Sequence, residues 1–115
     1  MKIEIKYTQF QPAANIEEYA MKRLGSLERF LKSFEKNSEI TMFVEIARST
    51  KHHRKGNVFY AEATFEAGGK KIRAEATEPD IRLALDEVKE KLKKEIRRYK
   101  DKLIEARREI WSKFF

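Results

Sequence analysis

The stretch NVFYAEATFEAGGKKIRAEATEPD, residues 57–80, decides the fold. Phe59, Ala61, Ala63 and Phe65 alternate with Tyr60, Glu62, Thr64 and Glu66; after two glycines, Ile72, Ala74 and Ala76 alternate in the same way with polar neighbours. A period of two marks a strand with one face buried. Gly68-Gly69 between the runs supplies the positive φ that a two-residue hairpin turn needs. The period then changes. From the EPD of residues 78–80 onward, Ile81, Leu85, Val88, Leu92, Ile96, Tyr99 and Leu103 recur at helical spacing and form one continuous apolar seam. Strand, hairpin, strand and long helix therefore follow from this part of the chain.

The preceding residues complete the pattern. Ile3, Ile5 and Tyr7 alternate with Lys2, Glu4 and Lys6, a half-buried strand. Pro12 opens a helix, where its missing N–H costs nothing. Ile16, Tyr19, Ala20, Leu27, Phe30, Leu31 and Phe34 then place one core face along residues 13–35, with Gly25 weakening the helix by about 1 kcal/mol relative to alanine. Ile40, Met42, Val44 and Ile46 form the inner face of one more strand. The order is β-α-β-β-β-α. Each element has a single apolar face, so the economical packing is an α+β domain: a four-stranded sheet with two helices packed on one side. The small inner residues Ala61, Ala63, Ala74 and Ala76 let a helix approach closely.

Composition bounds what such a domain does. The 115 residues suit a single core, and 41% hydrophobic against 39% charged residues describes a globular protein with an ionic surface. Twenty-six Lys and Arg against nineteen Asp and Glu give a net charge of +7, which favours polyanionic partners. Cysteine is absent, so disulfides and thiolate metal sites are excluded, and a reducing cytoplasm is the expected compartment. No segment approaches the roughly 18–20 apolar residues that cross a bilayer.

The excess charge is patterned. On the second helix Arg82, Lys89, Lys93, Arg97, Lys100 and Arg107 fall along one flank of the seam, interrupted by Asp86. The other flank mixes signs: Glu87, Lys91, Glu95, Arg98, Lys102, Glu105 and Glu109 stand at spacings that pair internally. On the first helix Lys22, Arg29 and Lys36 share a side. The stretch RSTKHHRKGN, residues 48–57, adds Lys51, Arg54 and Lys55 without any acid. A lysine-rich helix alone reads as a solvated face. Three such segments on one packed layer read as a surface for phosphates, which supply affinity without reading bases.

Other chemistry finds little support. His52 and His53 are the only histidines, and two adjacent residues do not supply the three or four ligands of a metal site. There is no P-loop, no G-x-S-x-G elbow and no H-E-x-x-H motif, so neither an enzyme nor a small-molecule substrate or cofactor is expected. Glu62, Glu66 and Glu75 fall on the outer sheet face, where pairing with Lys71 or Arg73 is the expected role. Phe43 and Tyr60 also point outward, as base-stacking aromatics do in RNA-recognition sheets, but that fold runs βαββαβ and this order does not.

The runs TKHHRKGNVFYAEATF, KRLGSLERF and KKIRAEATEPDIRLALDEVKEKLKKEIRRYKDKL resemble the ribosome hibernation-promoting factor and ribosome-associated inhibitor family, also called sigma-54 modulation proteins. The resemblance spans residues 1 to about 103. It implies the fold reached above, similar to a double-stranded-RNA-binding domain. It further implies binding to the small ribosomal subunit and its rRNA, in the channel of mRNA and tRNA, so that idle ribosomes stay inactive. Carried over by position, it marks Arg23 on the first helix and Lys89, Lys91, Lys93, Arg97, Arg98, Lys100 and Lys102 on the second. Ser26 stands where many members have lysine. The resemblance also implies the short form: residues 1–103 as the RNA- and ribosome-binding domain, 104–115 as a helical extension, and no separate dimerisation domain. In that extension Ile110, Trp111, Phe114 and Phe115 are expected to cap the core or self-associate. A general structured-RNA binder without ribosome specificity is the alternative.

Overall fold

The computed structural model describes residues 1–36, 38–49 and 58–114. Its elements are β1 (Lys2–Thr8), α1 (Ala14–Gly25), α2 (Glu28–Leu31) with the 3₁₀ turn Lys32–Phe34, β2 (Thr41–Ser49), β3 (Val58–Ala67), β4 (Lys70–Glu78) and α3 (Ile81–Phe114). The strands lie in sequence order, with β1 parallel to β2 and the other neighbours antiparallel. This is the expected α+β sheet with the helices on one face. The β3–β4 register sets Ala61 opposite Ala76 and Ala63 opposite Ala74, and all four are buried. Alpha-helix α3 lies across β3 and β4 over these small side chains, and α1 runs beside α3. Leu24, Leu27, Leu31, Met42, Ile46, Phe65, Leu85 and Leu92 fill the space between layers and are almost completely buried.

Two turns fix the ends of this layer. Gly68 and Gly69 have φ of +57° and +80°, the pair of positive values required by the tight hairpin. The Tyr99 hydroxyl donates to the Gly68 carbonyl at 3.0 Å, which ties the hairpin to α3. At the start of α3 the Asp80 carboxylate accepts from the Arg82 N–H at 2.8 Å and caps the helix.

The helical part of 13–35 departs from expectation in two ways. Alpha-helix α1 starts at Ala14 behind an extended Ala13, so Pro12 stands before the cap and not in the first turn. The helix also ends at Gly25. There the Ser26 hydroxyl bonds back to the Arg23 carbonyl at 2.6 Å, and the Leu27 N–H closes a tighter turn on Leu24. Leu24, Leu27 and Leu31 all remain in the core through this break. The apolar spacing thus survives a change of helix type, because a short 3₁₀ turn keeps i and i+3 on one side.

The extension 104–114 continues α3 as a single helix, and its apolar residues stay largely exposed and outside the buried core. Ile110, Trp111 and Phe114 are 57%, 63% and 78% exposed. At 34 residues α3 is about 51 Å long. The nine- and ten-residue strands beneath it reach only about 30–34 Å, and the last buried seam residue is Ile96. Phe115 lies outside the described residues.

Candidate nucleic-acid interface

Alpha-helix α3 has twelve basic and seven acidic residues, a net +5 of the chain's +7. The sequence places its bases on two flanks, and the structure gives these flanks different surroundings. The flank facing α1 and α2 meets a row of aromatic rings. The Arg82 guanidinium lies over Tyr19, 5.7 Å from the ring centroid, and Arg23 lies over the same ring at 5.2 Å. Lys93 and Arg29 share Phe30 at 5.7 and 4.7 Å. Lys100 lies 5.9 Å from the centroid of Phe34, which itself stacks on Tyr99. Cations from two separate segments therefore converge along the groove between α1–α2 and α3. Arg29, Arg82, Lys89, Lys93, Arg97 and Lys100 have no ion-pair partner among the described residues.

Asp86, which interrupts the stripe in sequence, is neutralised across the groove. Its Oδ1 accepts from the Tyr19 hydroxyl at 2.8 Å and lies 3.3 Å from Arg23 Nε. The Arg23 guanidinium is accordingly held above its usual range by Tyr19 and then by Asp86. One carboxylate and one cation cancel, so Asp86 does not break the stripe.

The flank facing β4 behaves as the mixed pattern expects. Lys91 Nζ donates to the Glu75 carbonyl at 2.8 Å and lies 3.9 Å from Glu87, while Arg98 bonds Glu95 at 3.0 Å. The Glu78 carboxyl is raised above its usual range by Glu87, so acid density here is high. Lys102 stands beside Arg98 and Tyr99 in a shallow hollow that also contains Glu95. Lys91, Arg98 and Lys102 thus sit apart from the aromatic groove. Lys22 is exposed on α1. Lys94, which the stripe pattern did not include, joins Lys91, Lys93, Arg97 and the acidic Glu90 around a depression of about 310 Å³ on the solvent side of α3. Its i, i+3 relation to Arg97 was the signal for it. Lys51, Arg54 and Lys55, with His52 and His53, lie outside the described residues.

The outer sheet face is a different surface. The Tyr60 hydroxyl is 2.7 Å from Glu62 and 2.6 Å from Glu75, and Arg73 bonds both carboxylates at 3.1 and 2.7 Å. Both acids are held below their usual range, first by Tyr60 and then by Arg73. Tyr60 is pushed up by burial and by the same carboxylates. Its hydroxyl is committed to acids, which repel phosphate. Phe43 is 56% exposed, beside a cleft of about 620 Å³ lined by Phe34, Ile40, Phe65, Glu39 and Glu66. Among the described residues no group of three or more His, Cys, Asp or Glu is placed to hold a metal, and no helix is long and apolar enough to cross a membrane.

Comparison with known proteins adds four findings. A family model described as Sigma 54 modulation protein / S30EA ribosomal protein matches residues 3–104. A curated relative, the ribosome hibernation promotion factor of Lactococcus lactis subsp. cremoris (strain MG1363), is 28% identical over 103 residues; the match covers 90% of this chain and 51% of the relative, so the chain spans about half the relative's length. The fold is shared with the Thermus thermophilus Protein Y N-terminal domain (TM-score 0.68, 21% identity, covering 86% of this chain and 99% of that one). It is also shared with a ribosomal subunit interface protein from Coxiella burnetii (TM-score 0.61, 18% identity, covering 88% and 99%).

Proposed function

Because the chain belongs to the Sigma 54 modulation protein / S30EA ribosomal protein family, we propose that it is a ribosome-binding translation inhibitor, which lays the α1/α3 groove against small-subunit rRNA in the mRNA and tRNA channel and keeps idle ribosomes inactive. The observation that carries this reading is the convergence of Arg29, Arg82, Lys93 and Lys100 from two helical segments on one groove, none of them ion-paired among the described residues. Such a row matches a phosphate backbone, whose contacts set position and most of the affinity. Residues 1–103 serve as the ribosome-binding unit, acting in the cytoplasm, and the extension from 104 is additional to it.

The mechanism is occlusion. The folded body measures 28 × 17 Å across its shorter axes, and a body held in the decoding channel excludes mRNA and tRNA by volume. No bond is made or broken. What the protein must supply is rigidity, from the packed two-layer core, and affinity, from the groove.

Co-sedimentation with separated small and large ribosomal subunits, with bulk duplex RNA as competitor, tests the reading. Saturable one-to-one retention on the small subunit at moderate salt supports it. Equal retention on both subunits and on duplex RNA, lost steeply with salt, replaces it with the general structured-RNA binder.

A further inference from the structure

We propose that Tyr19, Phe30 and Phe34 are positioning residues for phosphate recognition, their rings holding the cations of both helical segments at fixed stations along the groove while leaving those cations fully charged. This rests on the RNA-binding reading of the groove. The two flanks of α3 supply the argument. On the β4 side the long basic side chains are oriented by carboxylates, Lys91 by Glu87 and Arg98 by Glu95, and each pair carries no net charge. On the α1 side the same task falls to rings: Tyr19 takes Arg82, Phe30 takes Arg29 and Lys93, and Phe34 takes Lys100. An aromatic face attracts a cation through its quadrupole and has no net charge with which to cancel it. A carboxylate orders a cation and uses up its charge; a ring orders it and leaves the charge for a ligand.

The rings themselves are anchored. Tyr19, Phe30 and Phe34 are half-buried and packed against the core, so their positions are set by the fold. Arg82, Lys93 and Lys100 then stand at stations 11 and 7 residues apart on α3, a row of about 27 Å. That row suits an extended backbone of several phosphates and not a compact anion. Side chains ordered beforehand lose less freedom on binding, so they add to affinity without adding contacts.

The test compares Phe30→Leu and Phe30→Trp with the parent protein, using the small ribosomal subunit and a defined RNA hairpin as ligands over a range of salt. Phe30→Leu is expected to weaken binding roughly 5- to 30-fold through Arg29 and Lys93, with the slope of log K against log salt unchanged because every charge is still present. Phe30→Trp retains a ring face and should bind within about twofold of the parent. A residue that only fills space gives the opposite order, since tryptophan overpacks the site more than leucine does. Parent-like binding by Phe30→Leu, or equal losses in both variants, overturns the proposal. A second reading needs no variant: in the free protein the ε-methylene protons of Lys93 and Lys100 should be shifted upfield by the rings relative to those of Lys94, and coincident shifts overturn it too. If the parent binds the hairpin as well as the subunit, ribosome specificity fails while the ring effect is still scored on the hairpin. Binding to neither overturns both.

Discussion

Replacing Lys93, Arg97 and Lys100 together by glutamine removes three charges from the groove and leaves the seam of Leu92 and Ile96 intact. Lys93 and Lys100 are half-buried at their stems, Arg97 is exposed, and none of the three has an ion-pair partner among the described residues. Each phosphate contact contributes about 0.9 to the slope of log K against log salt on duplex nucleic acid and about 0.7 on single strands. The variant should therefore lose about 2 to 3 from that slope. Between 50 and 200 mM salt the parent's affinity should fall about 20- to 40-fold more than the variant's. Small-subunit binding measured at four or five salt concentrations gives both slopes. Urea unfolding of the free proteins checks the fold; there the substitutions remove two lysine–ring interactions, worth about 0.5–1 kcal/mol each at exposed sites. A variant slope equal to the parent's would show that these cations touch no phosphate, and the groove would then be a solvated face.

Three further outcomes rest on particular side chains. Gly68→Ala should destabilise more than Gly69→Ala in urea melts: both positions have positive φ, costing about 1–2 kcal/mol for alanine, but only at Gly68 does a new Cβ come within 2.9 Å of the Tyr99 hydroxyl and 3.2 Å of Phe34. Equal losses would show that the Tyr99 contact does not constrain the hairpin. Glu62 and Glu75 have depressed folded pKa values, so their contribution is present above the unfolded carboxylate range, about 4.3, and is lost as pH falls through the folded values. Arg73→Met should flatten that acid limb below the unfolded carboxylate range, and an unchanged pH profile would mean the outer-face network is only geometric. Ile110 is 57% exposed beyond the core, so Ile110→Ala should alter stability in urea melts by no more than about 0.5 kcal/mol. A larger loss would place the extension in the cooperative unit.

How much of this was legible in the sequence depends on whether a feature is local. The hairpin was, because Gly68-Gly69 specifies its own geometry and the flanking period of two leaves one register that buries Phe65 and Ile72 together. The start of α3 was, because Asp80 caps a helix whose second residue, Arg82, supplies the capped N–H. The break after Gly25 was only hinted at: Leu24, Leu27, Phe30, Leu31 and Phe34 keep helical spacing through it, and spacing alone does not distinguish α from 3₁₀ geometry over one turn. Asp86 could not be read at all. In the sequence it is a defect in a cationic stripe, and only the approach of α1 brings Arg23 and Tyr19 to neutralise it.

The same reasoning separates two uses of an aromatic at helical spacing. Tyr19, Phe30 and Phe34 have the periodicity of core residues, and so do Ile110 and Phe114, yet the first set packs beneath a second helix while the second runs past the end of the sheet. Periodicity reports which face of a helix is apolar. It does not report whether anything lies opposite that face, since this depends on element length: α3 outruns its strands by about 17–21 Å, estimated from standard rises of 1.5 and about 3.3–3.4 Å per residue. Where a partner element is present, an aromatic's second face is left to the cations of the groove. Past the sheet, the identical pattern is an exposed stripe. The candidate interface is thus a product of the junction between α1–α2 and α3, and neither segment alone carries its geometry.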